Sequence, residues 1–150
     1  MVTMALRDYI TITKPRIILL LIFVAIATMV VAKGRNVPLD ILALTVFAGG
    51  LGAAGASAIN CYVDRDVDAI MLRTKHRPLA YGRIEPPEKA IYFGLILIAS
   101  SLLISAIAIN FLTSFFIMLG ILIYLFVYTK WLKRKNPLNI VIGGFAGSCA

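Results

Sequence analysis

Several residue types that a soluble domain relies on are scarce here: the 150 residues include 7 acidic residues, 1 histidine, 1 tryptophan and 2 cysteines. Cys61 and Cys149 both lie in apolar stretches with no Cys-x-x-Cys or His-x-x-x-His spacing, which argues against a disulfide framework and against a zinc site. Charge of either sign is missing from Ala90 to Thr129, forty consecutive residues. At about 1.5 Å per residue, that run would make a helix of about 60 Å, about twice a ~30 Å hydrocarbon core, so it must fold back on itself. With 61% apolar residues, 15% charged residues and a mean hydropathy of +0.93, soluble enzyme folds are excluded.

What is there is a series of apolar runs, so the predicted fold is all-α, a polytopic transmembrane helix bundle. Spans are expected at about 15–32, 38–63, 88–109 and 111–129, with a fifth starting at 137 and still apolar at 150. The chain is thus read as one membrane domain, four full spans plus the start of a fifth, incomplete at its C-terminus. The first run follows basic residues as a signal peptide does. It lacks a convincing small-x-small cleavage site and is read as a retained span. Its Pro15 suits a first helical turn, where a missing N–H costs nothing. In the second run, the glycines and alanines from Gly49 to Ala56 let a neighbouring helix approach closely, and that face is expected to be buried against protein. The third and fourth runs are expected to part near Asn110.

The net charge of +8 comes from basic residues that flank the spans, where they act as topology signals and meet lipid headgroups. Nucleic acid is not an expected partner; the bilayer is. Counted over alternate loops, Lys and Arg number 13 on one side and 2 on the other. The positive-inside rule then places the N-terminus and the 64–89 loop in the cytoplasm, with the cell membrane as the location.

The informative constellation ends the second span. If the helix continues through it, Asn60, Asp64 and Asp68 fall four apart and form one polar stripe, while Asp66 points elsewhere. Two carboxylates and a carboxamide with no base among them suit a hard cation such as Mg²⁺, which is usually completed by water and substrate phosphates. The following loop supplies Arg73, Lys75, Arg77 and Arg83, and the mouth of the first span adds Lys14 and Arg16. Acids that hold metal and bases that clamp phosphate oxygens are the two halves of a diphosphate site. A phosphorylated lipid is the economical ligand, its tail among the helices and its head at the loop. The bland alternative pairs Arg65 with Asp64 or Asp68, gives Asn60 an interhelical hydrogen bond, and leaves the loop as a solvated surface. Spacing alone leaves both open.

Asn60-x-x-x-Asp64-x-x-x-Asp68 followed by Arg73-Thr-x-x-Arg77-Pro-Leu resembles the first aspartate-rich motif and loop of the UbiA superfamily of intramembrane prenyltransferases. Asp8-Tyr-x-x-x-Thr-Lys14-Pro-Arg16, Tyr62-Val-Asp64-Arg-Asp66-Val-Asp68 and the stretch from Tyr128 to Gly144 narrow the resemblance to the branch that uses heme as acceptor. It covers nearly the whole chain. Many relatives carry Asp directly after the Asn; Cys61 in that place fits the heme branch better than the quinone branch.

The resemblance implies about half of a nine-helix bundle in which two facing aspartate-rich motifs hold Mg²⁺ and an isoprenyl diphosphate. It implies transfer of a farnesyl group from farnesyl diphosphate to a vinyl carbon of heme B, giving heme O. Asp64 and Asp68, with Asn60, would hold the metal; Arg73, Arg77, Lys75, Arg83 and Lys14 would bind diphosphate. The resemblance also allows Tyr128 near the allylic carbon and Lys133 near phosphate. The second aspartate-rich motif is absent from these 150 residues, so the isolated chain is expected to be inactive and to need a missing C-terminal half. Two alternatives stand: a UbiA-type enzyme acting on an aromatic or lipid-alcohol acceptor, and a non-catalytic membrane bundle or complementing subunit. His76, between Lys75 and Arg77 in a basic loop, is not read as a heme ligand.

Overall fold

The computed structural model describes residues 2–34, 37–132, 144 and 147–149, with side chains described from residue 6 to residue 129 and at the last four positions, Arg35 and Asn36 apart. The elements are α1 (Val2–Ile12), α2 (Pro15–Lys33), α3 (Leu39–Val63), α4 (Arg65–Ile70), α5 (Lys89–Ala108) and α6 (Phe111–Leu122), which runs on as a π-helical segment, Ile123–Leu132. No strand occurs among the described residues. Four helices, 15–33, 39–63, 89–108 and 111–129, are long and apolar enough to cross a membrane. The expected fifth span, 137–150, lies outside the described residues apart from Gly144 and 147–149.

Local sequence sets the helix ends. Pro15 opens α2 at its first position, and Gly34 closes it with φ +62, a conformation glycine adopts without a Cβ clash. Asn110 caps α6: its Oδ1 accepts the Thr113 N–H at 2.6 Å, which turns the uncharged forty-residue run back on itself. α1 was not foreseen. It buries Asp8 and Ile12, one turn apart, and leaves Leu6 and Ile10 exposed.

The bundle is organised on α3 against α5, and the small residues of α3 make that packing possible. A Cβ on Gly55 would lie 2.5 Å from the Gly94 carbonyl oxygen, so the two backbones touch there. Farther along, Ser101 Oγ donates to the Ala48 carbonyl at 2.6 Å across the same interface, satisfying a hydroxyl that has no access to water. Ser114 Oγ of α6 donates to the Leu102 carbonyl of α5 at 3.1 Å. α2 packs on α3 with none of its residues buried, so Leu19, Leu20, Phe23 and Val31 present an apolar surface. Beneath the bundle, Leu79 and Ile84 of the 71–88 segment pack with Ile12, Ala58, Cys61 and Ala90 in a small cluster that ties this segment to α1 and α3.

Candidate diphosphate and metal site

α3 and α4 form nearly one continuous helix. The Asp64 N–H closes α3 on the Asn60 carbonyl at 3.0 Å, and the Asp68 N–H opens α4 on the Asp64 carbonyl at 2.8 Å, so the two helices meet at a turn on Asp64. Asn60 Nδ2 donates to Asp64 Oδ2 at 3.0 Å, and Asp68 follows one turn on in α4. All three are buried, at 1%, 3% and 5% of their exposed area, whereas Asp66 is exposed. Two carboxylates at this depth require compensation.

Compensation comes from two cations and a set of hydrogen bonds. Arg77 Nη1 lies 2.6 Å from Asp68 Oδ2, and Thr74 Oγ1 donates to the Asp68 carbonyl at 3.2 Å, folding the loop onto the carboxylate. Lys14 Nζ donates to Asn60 Oδ1 at 2.5 Å. The lysine occupies the α1–α2 junction with φ +56, a left-handed conformation uncommon for a non-glycine residue, and the sharp turn carries its side chain toward α3. Asn60 Nδ2 donates to Asp64 Oδ2 and to Thr129 Oγ1, both at 3.0 Å. Thr129, wholly buried, in turn donates to the Tyr124 carbonyl at 2.8 Å.

The other basic candidates stand differently. Arg83 Nη2 donates to the His76 carbonyl at 2.7 Å and Nη1 lies 3.5 Å from Asp8 Oδ1, so it braces the loop to α1 in place of facing the acidic stripe. Arg73 and Lys75 are exposed. Arg65, whose pairing with Asp64 or Asp68 was the bland alternative, lies over the Tyr62 ring, 4.1 Å from its centroid. Tyr128 stacks on Tyr124 at 5.6 Å between ring centroids. Lys133 lies outside the described residues.

The donor set bears on the expected metal. Asp64 and Asp68 offer hard carboxylate oxygens, and among the described residues no third His, Cys, Asp or Glu joins them. An all-protein cage is not built here. Two carboxylates without such a cage match Mg²⁺, which is commonly held by one or two carboxylates and completed by phosphate oxygens and water. The Asn60 oxygen accepts from Lys14, so in this structure the carboxamide serves the stripe as a hydrogen-bonding group.

Next to the stripe an apolar cavity of about 630 Å³ runs between α2, α3 and α6. Ser57 and Tyr124 line its end near Asn60 and Thr129, and Pro38 and Asn110 line the other end. From Ser57 to Pro38 is nineteen residues, about 28 Å of helix at about 1.5 Å each. Walls from Ile18, Ile22 and Ala53 would solvate a hydrocarbon chain.

Thr129 and Tyr124 were missed in the sequence. They sit in an uncharged span whose hydropathy says nothing about a π-helical register. The signal within reach was Tyr128-Thr129-Lys130, a polar group closing the fourth span.

Comparison with known proteins adds the following. The UbiA prenyltransferase family matches residues 20–150. A protoheme IX farnesyltransferase of Symbiobacterium thermophilum is 46% identical over 142 residues, 95% of this chain and 47% of that protein. One from Thermosynechococcus vestitus is 47% identical over 143 residues, 95% of this chain and 45% of that protein. One from Rhizobium etli is 46% identical, covering 44% of its length. The chain thus spans about half the length of the curated relatives it matches. No solved structure matches it.

Proposed function

Because this chain belongs to the UbiA prenyltransferase family, and is a multi-pass membrane protein, we propose that it supplies the diphosphate-binding half of an intramembrane farnesyltransferase that acts on heme B to form heme O. The observation that carries this reading is the pair of buried carboxylates, Asp64 and Asp68, with Arg77 beside Asp68 and an apolar cavity whose lining on the same helix ends at Ser57, one turn before Asn60. A farnesyl diphosphate has the same two parts: a charged head and a long apolar tail.

In this reading Asp64 and Asp68 hold Mg²⁺, which when bound offsets negative charge on the departing diphosphate. Arg77 exchanges part of its contact with Asp68 for phosphate oxygens, and Lys14 lies close enough to do the same from Asn60. Arg73 and Lys75, exposed at the loop surface, draw the anionic head in from solution, while Arg83 holds the loop in place. The cavity aligns the prenyl chain and excludes water from the carbon at which charge develops. Tyr124 lines the cavity, and Tyr128 stacks on it, the closest that the expected role of Tyr128 near that carbon comes to the prenyl chain in this reading. The distribution of Lys and Arg, 13 of 15 on one side, supports a site that opens to the cytoplasmic face of the cell membrane in this reading.

The test is reconstitution. Membranes containing this chain together with the C-terminal half of the Symbiobacterium thermophilum relative are given farnesyl diphosphate, heme B and Mg²⁺, and heme O is sought by mass. Product that depends on both polypeptides supports the reading. Folded partners that yield none, or that prenylate an aromatic acid and leave heme untouched, refute it.

A further inference from the structure

Asn60 is held by three side-chain hydrogen bonds. Its carboxamide oxygen accepts from Lys14, one amide hydrogen goes to Asp64 and the other to Thr129. The Thr129 hydroxyl has a single hydrogen. Since that hydrogen goes to the Tyr124 carbonyl at 2.8 Å, the oxygen has only lone pairs to offer Asn60. Thr129 can therefore face the NH₂ end of the carboxamide and not its oxygen.

The π-helical register creates this arrangement. A threonine in an α-helix bonds back to the carbonyl three or four residues earlier. Thr129 instead bonds five back, to Tyr124, the spacing of a π turn, within the segment Ile123–Leu132. Such segments are rare and recur at functional sites.

The three partners of Asn60 differ in kind. Lys14 and Asp64 are charged, and each has a stronger partner once a cation and a diphosphate arrive: phosphate for the ammonium, the dication for the carboxylate. Thr129 is neutral, wholly buried, and has no such competitor. We infer that Thr129 is a positioning residue that keeps the Asn60 carboxamide oriented, oxygen toward Lys14 and the site, when the ligand draws Lys14 and Asp64 away. The released oxygen then stays turned toward the site, where it would accept a hydrogen bond from a donor there. This rests on the diphosphate reading and adds to it a residue with no charge and no contact with ligand.

Thr129→Val keeps the shape and removes the hydroxyl; Thr129→Ser keeps the hydroxyl. In full-length chain labelled with ¹⁵N-asparagine and purified in detergent, the Asn60 signals are assigned from an Asn60→Ala sample. Both Asn60 amide hydrogens should exchange slowly with water in the ligand-free protein. Thr129→Val should expose one of them and leave the other protected, and Thr129→Ser should restore it. Calorimetry with inorganic pyrophosphate and Mg²⁺ should show binding about tenfold weaker in Thr129→Val, the effect of one buried hydrogen bond, and near wild type in Thr129→Ser. If the valine protein does not fold, Thr129→Ala takes its place in both measurements. Unchanged exchange, or equal binding by wild type and the hydroxyl-less variant, overturns the assignment alone. A wild-type chain that binds no pyrophosphate overturns both it and the diphosphate reading.

Discussion

Adding a single methyl group at Gly55 should damage both the bundle and its site. A Cβ there would lie 2.5 Å from the Gly94 carbonyl oxygen, 2.8 Å from Ile98 Cγ1 and 3.1 Å from the Ile98 nitrogen. Ordinary contact begins near 3.4 Å, so the backbone oxygen alone must retreat by about 0.9 Å. Ile98 can turn its side chain; the Gly94 oxygen can move only with α5. Overpacking of this kind costs about 1–3 kcal/mol, and here the strain falls on the interface around which the bundle is organised. Asn60 lies five residues beyond Gly55 on the same helix, so separating α3 from α5 displaces the acidic stripe from Arg77 and Thr129. A misplacement of about 1 Å in a site can cost about a hundredfold in function. The control is Gly49→Ala on the same helix, where a Cβ meets nothing within 4 Å. Thermal unfolding in detergent, with Mg²⁺-dependent pyrophosphate binding on the same samples, should show Gly55→Ala less stable and weaker in binding and Gly49→Ala unchanged. If the two alanine variants behave alike, the close approach of α3 and α5 does not hold the site in register.

Arg77→Ala should weaken pyrophosphate binding by at least tenfold, because it removes the guanidinium beside the buried Asp68; Lys89→Ala should leave it unchanged, since that exposed ammonium only donates to the Glu85 carbonyl. Single cysteines placed at Arg73 and at Gly34 should label from opposite sides of the membrane in a cysteine-free background, with position 73 protected from an impermeant thiol reagent in intact cells. Labelling of both from outside would contradict the orientation drawn from the Lys and Arg count.

Much of this was legible because it is local. Apolar runs bounded by charge give helices of the observed lengths, and a spacing of four brings Asn60 and Asp64 side by side at the end of α3, with Asp68 one turn further in α4. The break near Asn110 was visible too. The long-range pairings were not legible. Nothing in Lys14-Pro15 announces a left-handed turn that sends an ammonium to Asn60, and nothing in Arg83 distinguishes a phosphate clamp from a brace to Asp8 and His76. Hydropathy is blind to whether a span is α or π, so Thr129 was hidden. α1 left a fainter trace: Asp8 and Ile12 are buried one turn apart, a pattern too short to outweigh a basic, mixed N-terminus.

Calorimetric titration of the purified chain with Mg²⁺ and inorganic pyrophosphate, run on wild type beside Asp64→Asn, Asp68→Asn and Asp66→Asn, bears on the central claim most directly. The two buried carboxylates should prove indispensable: either substitution should abolish Mg²⁺-dependent uptake, while the exposed Asp66→Asn protein should bind like wild type. Equal affinities for all four proteins, or uptake that ignores Mg²⁺, would contradict it.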